Sequence, residues 1–473
     1  MTVRHKNHKA TTAFLALALA GAVVTPAAAA GRPSAAGRPS AEGIWRVTGY
    51  GTVLSITAGR LREYQTTAAG CAPGDTARRT GPGTYTDDEG SVYTVGPQEK
   101  PHGRPQGRSQ GRSQGTLRIA GSPGYRELRR LAALPEECER PLPADPVAAF
   151  DVLWHSFEEN YPFFAAKDID WHAVRDTYRP RIDAGTTRDE LFAVFSEMVA
   201  PLYDAHVAVL DGDRHFARIR PGTTMPSEEL DTKVRKYVER RDLGGRKLRE
   251  FAGGRIGYAD LPGGQGYLRI SGFAGYAGQE RSYAAHLAQL DKALDAVLTA
   301  ERTASLDGLI IDLRINGGGY DSLGLHVAER LTDTPYVAYR KRTQYTRPQP
   351  ITVEPARGVP RYTGPVALLT GGSTVSAGET FTQALMDRPG RTVRIGEATQ
   401  GVFSDTMDRK LPNGMAVWLP NEEFLTRSGR TFDGSGIPPR LRTPVFTEEE
   451  FAKNRDSAFD AAVAVLARGG RGR

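Results

Sequence analysis

The chain has 473 residues, 39% hydrophobic and 25% charged. That balance excludes a disordered polymer or a membrane-embedded bundle, and the length leaves room for two or three domains at about 150 residues each. The net charge is +7, from 62 Lys and Arg against 55 Asp and Glu; part of the surplus lies in the first ten residues and in 99–115, and so dispersed an excess argues against a nucleic-acid surface.

Arg4, His5, Lys6, His8 and Lys9 form a basic start, Ala13–Val24 is apolar, and 26–30 supplies small residues. This is the pattern of a secretory signal peptide (1–30) cleaved near Ala30. The apolar run is short for a span, and no cysteine follows it to carry a lipid, so no stable membrane insertion is expected after cleavage. Residues 31–42 are rich in Gly, Pro, Ser and Ala and read as a flexible tether. From 43 to 140, segments such as Ile44–Thr57, Arg60–Thr66 and Ser91–Val95 alternate β-formers with glycine breaks, which predicts a small β-rich domain. Within it, 99–115 repeats Gly-Arg-Ser-Gln and is expected to be a mobile, low-complexity basic loop. Cys71 and Cys138 are the two cysteines. In an exported chain they are expected to pair, and neither has metal-ligand spacing.

Helices take over at Asp145-Pro146, an N-cap followed by proline at the first helical position. Phe150, Leu153, Trp154 and Phe157 mark one apolar face. Thr187 to Glu190 is a capping-box pattern opening a second amphipathic helix with Leu191, Phe195, Met198 and Val199. These belong to a helical subdomain over 145–250, in which 214–250 is charged and predicts a short solvated helix. From 251 to 450 strands and helices alternate. Gly266–Ile270, Leu309–Leu313, Val366–Thr370, Val393–Ile395 and Ala416–Leu419 are apolar strands, separated by helices carrying Leu287, Leu290, Leu294 and Leu298, and then Leu323, Val327 and Leu331. This is an α/β domain whose sheet is covered on its faces. A C-terminal helix and basic tail follow over 451–473.

Active groups in such sheets gather at the carboxyl ends of strands, and two motifs lie there. Ser373-Thr-Val-Ser-Ala-Gly-Glu379 follows the strand ending at Thr370 and precedes a helix, so Ser376 stands where a turn lifts a hydroxyl out of the sheet and the next helix offers free amides. Asp312-Leu-Arg-Ile-Asn-Gly-Gly-Gly319 closes the earlier strand, and its glycines can turn N–H groups of Gly318 and Gly319 toward a substrate carbonyl. The amide of Ala377 is the second expected oxyanion donor. Arg314, close by in sequence, is a candidate for attracting a substrate carboxylate, with a structural ion pair as the competing reading.

A serine needs a base, and a histidine is the usual one. His206 in Leu202-Tyr-Asp-Ala-His206 follows an apolar helix, sits in a short loop beside Asp204 and precedes the strand-like Val207–Leu210. His102, His155, His172, His286 and His326 fall in the polar loop or on helical or linking segments. Ser373 competes as nucleophile but is farther from the helix start.

These segments, with Phe432-Asp433-Gly-Ser-Gly-Ile-Pro-Pro439, resemble in order and over 145–450 the serine peptidases that include the carboxyl-terminal processing (tail-specific) proteases and the core of tricorn protease. The resemblance implies a crotonase-like ββα core and places the family's nucleophile at Ser376. Processing proteases of this kind use a lysine in a Gly-x-x-Thr-x-Gly-Lys context, but here Gly396-Glu-Ala-Thr-Gln-Gly401 is followed by Val402. The chain thus resembles the histidine-using, tricorn-like branch, to which His206 corresponds. Ala205 stands where that branch has a serine, and Asp433 where it has an acid that orients the histidine. No PDZ-like segment lies between the helical region and the core.

The expected activity is peptide-bond hydrolysis by Ser376 with His206 as general base and Asp433 orienting it, acting on protein or peptide substrates without nucleic acid. No cofactor and no metal are expected, since the chain has neither a His-Glu-x-x-His helix nor a cysteine cluster. The alternatives are a non-catalytic binder of an apolar ligand on the same fold, and an esterase or amidase using the same serine.

Overall fold

Alternation of inward and outward side chains builds the first domain. In the computed structural model, which describes residues 41–97 and 113–469, eight antiparallel strands (Gly43–Val47, Thr52–Thr57, Arg60–Thr67, Gly70–Gly81, Thr84–Asp87, Val92–Pro97, Gln114–Ile119 and Arg126–Leu131) form a barrel. The first strand pairs with the last, Ile44 with Leu131 through Val47 with Leu128, and closes it. Trp45, Val47, Leu54, Ile56, Leu61, Ala77, Tyr85, Leu117 and Leu128 fill the interior. Ala58 (φ 50°) and Gly59 (φ 73°) make the two-residue reversal between the second and third strands, the left-handed pair that matches strand twist. The strands Gly70–Gly81 and Arg126–Leu131 have no counterpart in the sequence reading, because their outer faces are charged or small and they bury only Cys71, Ala77 and Leu128 between them, too few to give a period-two pattern. The expected loop at 99–115 is shortened at its end, where Gln114 already pairs with Arg129; the rest of it, the signal segment, residues 31–40 and the final four residues lie outside the described residues.

Cys71 and Cys138 are bonded, 4.8 Å apart at Cα, joining the fourth strand to a short turn, Glu136–Cys138, ahead of the helices. Helix Pro146–Asn160 is capped by Asp145, whose carboxylate accepts the Ala148 amide at 2.8 Å. Thr187 and Glu190 form the capping box of helix Arg188–Val199. Phe150, Leu153, Phe157, Leu191, Phe195 and Met198 pack in one core with Val209, Val417 and Leu419. Those last residues come from a four-stranded sheet ordered Arg214–Ala217, Ala208–Asp211, Ala416–Pro420, Thr406–Lys410, so the helical region and the C-terminal part of the chain share a core. The helix of the charged interval runs Glu228–Arg241 and is not simply solvated, since Val234 and Val238, four apart on one face, are buried with Leu261 and Tyr267.

The central sheet has seven strands ordered Arg249–Phe251, Ile256–Leu261, Gln265–Ile270, Gly308–Asp312, Val366–Thr370, Thr392–Gly396, Leu441–Arg442. The first three strands run antiparallel and the rest join in parallel. Burial on both faces explains the unbroken apolar runs. Leu309 and Ile311 face helices Tyr283–Val297, Asp321–Glu329 and Ala377–Ala384, while Ile310 faces the C-terminal helix Ser457–Gly469 through Phe459, Ala462 and Leu466. Among the described residues no helix is long and apolar enough to cross a membrane.

The 67-residue separation of the bridged cysteines gives a chain-entropy contribution of about 4 kcal/mol. Cys71→Ser with Cys138→Ser is expected to lower the urea midpoint of the barrel's unfolding and to abolish its sensitivity to reductant. An unchanged midpoint would show that the bridge does not constrain the unfolded chain.

Candidate active site

Two short parallel strands, Ile315–Asn316 and Ser373–Thr374, pair Ile315 with Ser373 and Asn316 with Thr374 just beyond the carboxyl ends of the central strands. That pairing lays the glycine loop against the serine turn. Ser376 has φ 55° and ψ −121°, a conformation that L residues rarely hold, and helix Ala377–Ala384 begins immediately after it. A Cβ on Gly318 would lie 2.6 Å from Ser376 Cβ and 3.1 Å from the Ala377 nitrogen, so only glycine allows this approach. The Ala377 amide, first in its helix, has no intrahelical acceptor and lies beside the serine.

The Gly318 amide is not free as the sequence suggested. It donates to Asn316 Oδ1 at 3.0 Å, while Asn316 Nδ2 donates to the Ile270 carbonyl at 2.8 Å. The side chain two residues back captures the amide, as asparagine does in turns. Gly319 pairs in parallel with Phe273, and the Tyr320 amide donates to the Phe273 carbonyl at 3.0 Å, so this part of the loop is held as a strand edge.

Arg314 has no part in binding a substrate carboxylate. It is 1% exposed, and its guanidinium donates to Asp312 and to both oxygens of Asp456, at 2.6 and 2.8 Å for the latter, beneath the ring of Phe446. Burial alone would raise Asp312, but the Arg314 charge overrides it and holds that carboxyl below its ordinary range. Ser373 is also occupied, its hydroxyl donating to the Thr224 carbonyl at 2.7 Å.

Glu379 is the residue the sequence reading passed over. It is fully buried three positions after Ser376, and its carboxylate accepts the amides of Gly401 (2.6 Å), Val402 (2.8 Å) and Ser376 itself (3.2 Å). The Ser376 amide also donates to the Val402 carbonyl at 3.0 Å. Burial pushes the Glu379 carboxyl up to about 7 even though these hydrogen bonds favour its charge. The signal was present, because Ser376 and Glu379 stand at the spacing of a capping box. Val402, where the resemblance would place a lysine, is buried and serves through its backbone.

The segment that Glu379 holds continues to Ser404, whose backbone carbonyl lies near enough to the His206 ring to favour its protonated form. His206 is fixed from its own side by Asp204, which accepts the His206 amide at 3.0 Å and the Tyr161 hydroxyl at 2.8 Å, and forms an ion pair with Lys167 at 3.4 Å. Burial lowers the imidazole pKa below 6.5, against the charges of Asp204 and Asp405. Asp433 lies in the same buried cluster, where burial first and the Asp204 charge next push it well above the carboxylate range. It accepts the Phe403 amide at 3.4 Å, but no hydrogen bond joins it to His206; His206 Nδ1 and Asp433 Oδ1 are both buried without a partner. Nor does a hydrogen bond join Ser376 Oγ to the imidazole. Among the described residues no group of His, Cys, Asp or Glu is placed to hold a metal ion.

A strained serine between a strand and a helix, pressed by a glycine loop and linked through one short segment to a histidine, is the arrangement of hydrolases with a serine nucleophile. Residues 264–443 match the model of peptidase family S41, and residues 143–200 that of the tricorn protease C1 domain. The core of the chain is thus similar to peptidase family S41, and the segment ahead of it to the tricorn C1 domain. A carboxyl-terminal-processing protease of Synechocystis is 27% identical over 206 residues, which cover 43% of this chain and 44% of that protein, so the match spans less than half the length of either. A crystal structure of a provisionally assigned peptidase from Parabacteroides merdae superposes with a TM-score of 0.56 at 24% identity, over 68% of this chain and 96% of the other, a likeness of fold.

Arg314→Met leaves Asp312 and Asp456 buried without a counter-charge and is expected to cost about 3–5 kcal/mol in urea unfolding, partly recovered by adding Asp456→Leu. No recovery in the double variant would mean that the pair is not what Arg314 neutralises. Because the folded pKa of Glu379 is raised to about 7 from 4.5, its contribution to stability is full below pH 4.5 and is lost as pH rises through 7. Glu379→Gln should remove that slope from the pH dependence of unfolding, and should lower the reactivity of Ser376 at least tenfold by turning amide hydrogens toward a backbone N–H.

Proposed function

We propose that this chain is an exported serine peptidase that hydrolyses peptide bonds in protein or peptide substrates. The reading is carried by the positive-φ turn at Ser376, which the chain maintains with Glu379 on one side and Gly318 on the other. Strain of this kind is retained where it serves chemistry. The family S41 match supports the substrate class, and the paired Cys71 and Cys138 together with the first thirty residues support export with cleavage near Ala30. The core is read as crotonase-like, its nucleophile and glycine loop both at strand ends of one sheet.

In the reaction the Ser376 oxygen attacks the carbonyl carbon while its proton passes to the neutral His206 ring. The carbonyl oxygen gains the negative charge and is held by the Ala377 amide, a donor of a kind worth roughly 10²–10³ in turnover. His206 returns the proton to the leaving nitrogen, the C–N bond breaks, and water releases the acyl group by the same steps in reverse. A lowered imidazole pKa keeps His206 neutral and ready at pH 7. Asp433 is the group we assign to orient the ring, a reading supported by the unpartnered Asp433 Oδ1 and the unpartnered His206 Nδ1. Gly318 becomes a second donor only when its amide leaves Asn316.

Intact mass after fluorophosphonate treatment tests the reading. A single adduct is expected on the wild type, none on Ser376→Ala, and labelling slowed roughly 10²–10⁴-fold in His206→Ala, with Asp433→Asn slowed less. Adduct formation without Ser376 would name the wrong nucleophile. Rapid turnover of an ester with no cleavage of the matched peptide would replace the peptidase by an esterase.

A further inference from the structure

With Arg314 sealed in the core, another arginine stands open beside the glycine loop. Arg255 lines a cavity of about 290 Å³ together with Ser271, Gly275, Gly317, Gly318 and the start of helix Glu228–Arg241. Its guanidinium is exposed and makes no hydrogen bond or ion pair among the described residues. The backbone that presents it turns through three successive left-handed residues, Ala252 (φ 51°), Gly253 (φ 64°) and Gly254 (φ 81°); the glycines adopt this freely, and Ala252 is the one strained residue of the three. The position is also fixed to the reaction centre. The Ser271 amide donates to the Arg255 carbonyl at 2.9 Å, and the Gly317 amide donates to the Ser271 carbonyl at 3.2 Å, one residue from the glycine that presses on Ser376.

Two carboxylates share the cavity and neither neutralises Arg255. Asp231 is taken by the buried Arg269, and Glu228 is exposed and unpaired in the first turn of its helix. We infer that Arg255 is a carboxylate-binding specificity residue, seating an acidic group of the substrate, either an Asp or Glu side chain or a chain terminus, within reach of the Ser376 centre. A guanidinium matches a carboxylate with two parallel N–H donors, which a backbone turn or a hydroxyl cannot do.

The inference rests on the peptidase reading for its substrate, and its test is arranged to survive without it. Binding is measured by fluorescence anisotropy on Ser376→Ala, with alanine-rich nonapeptides bearing one Glu at each position in turn, each as free acid and as amide. Arg255→Ala in that background should weaken the preferred acidic peptide roughly ten- to hundredfold and leave its Gln, amidated counterpart unchanged. Loss confined to the free-acid series assigns the chain terminus; loss that follows the Glu position assigns a side chain. Glu228→Gln should leave affinity equal or higher. Equal weakening of acidic and neutral peptides by Arg255→Ala, no weakening at all, or loss with Glu228→Gln alone would overturn the assignment. Labelling of the wild type by fluorophosphonate reports separately on the peptidase reading.

Discussion

The buried guanidinium of Arg314 is the constraint on which the rest of the site depends. It closes the strand Gly308–Asp312, opens the glycine loop, and reaches Asp456 at the head of the C-terminal helix, so three parts of the chain meet in one charge cluster. Such a cluster contributes little net stability, because desolvation offsets most of its attraction, but none of its members is dispensable. What it secures is position. The strand it holds continues into Ile315 and Asn316, which pair with Ser373 and Thr374 and so determine where Ser376 stands.

A second support comes from below the serine. Glu379 gathers three backbone amides from two segments, and in doing so ties the nucleophile's turn to the stretch 401–404 that also meets the His206 ring. A carboxylate shared in this way links the nucleophile's turn to the stretch that runs past its base, although His206 arrives on a helical subdomain nearly two hundred residues earlier in the chain. The barrel is fastened to the same stretch. Ser122 donates to Asp405 at 2.6 Å, Lys341 reaches both Ser122 and Glu422, and Tyr50 bonds Glu422. The N-terminal domain thus rests against the residue following Ser404.

Much of this was legible in the chain. The long periodic helices, the apolar strands of the central sheet, the caps at Asp145 and Thr187, and the serine and glycine motifs each announce themselves through local patterns of a few residues. The less regular barrel strands did not, since a strand such as Gly70–Gly81 buries only Cys71 and Ala77 and carries glycine and proline within it. The inner face of helix Glu228–Arg241 was hidden for a related reason, its two valines being outnumbered by charges that solvate the other side.

The sequence by itself determined which residues could perform chemistry and the order in which they come, because a strand end, a helix start and a glycine cluster are written in neighbouring residues. Only the tertiary structure decided what each of them does. It turned Arg314 inward to two aspartates, gave the Gly318 amide to Asn316, put Glu379 under the serine, left Asp433 without a bond to His206, and left Arg255 facing a cavity. Each of these depends on partners far away in sequence, and burial and pairing are properties of the folded neighbourhood that no local pattern records.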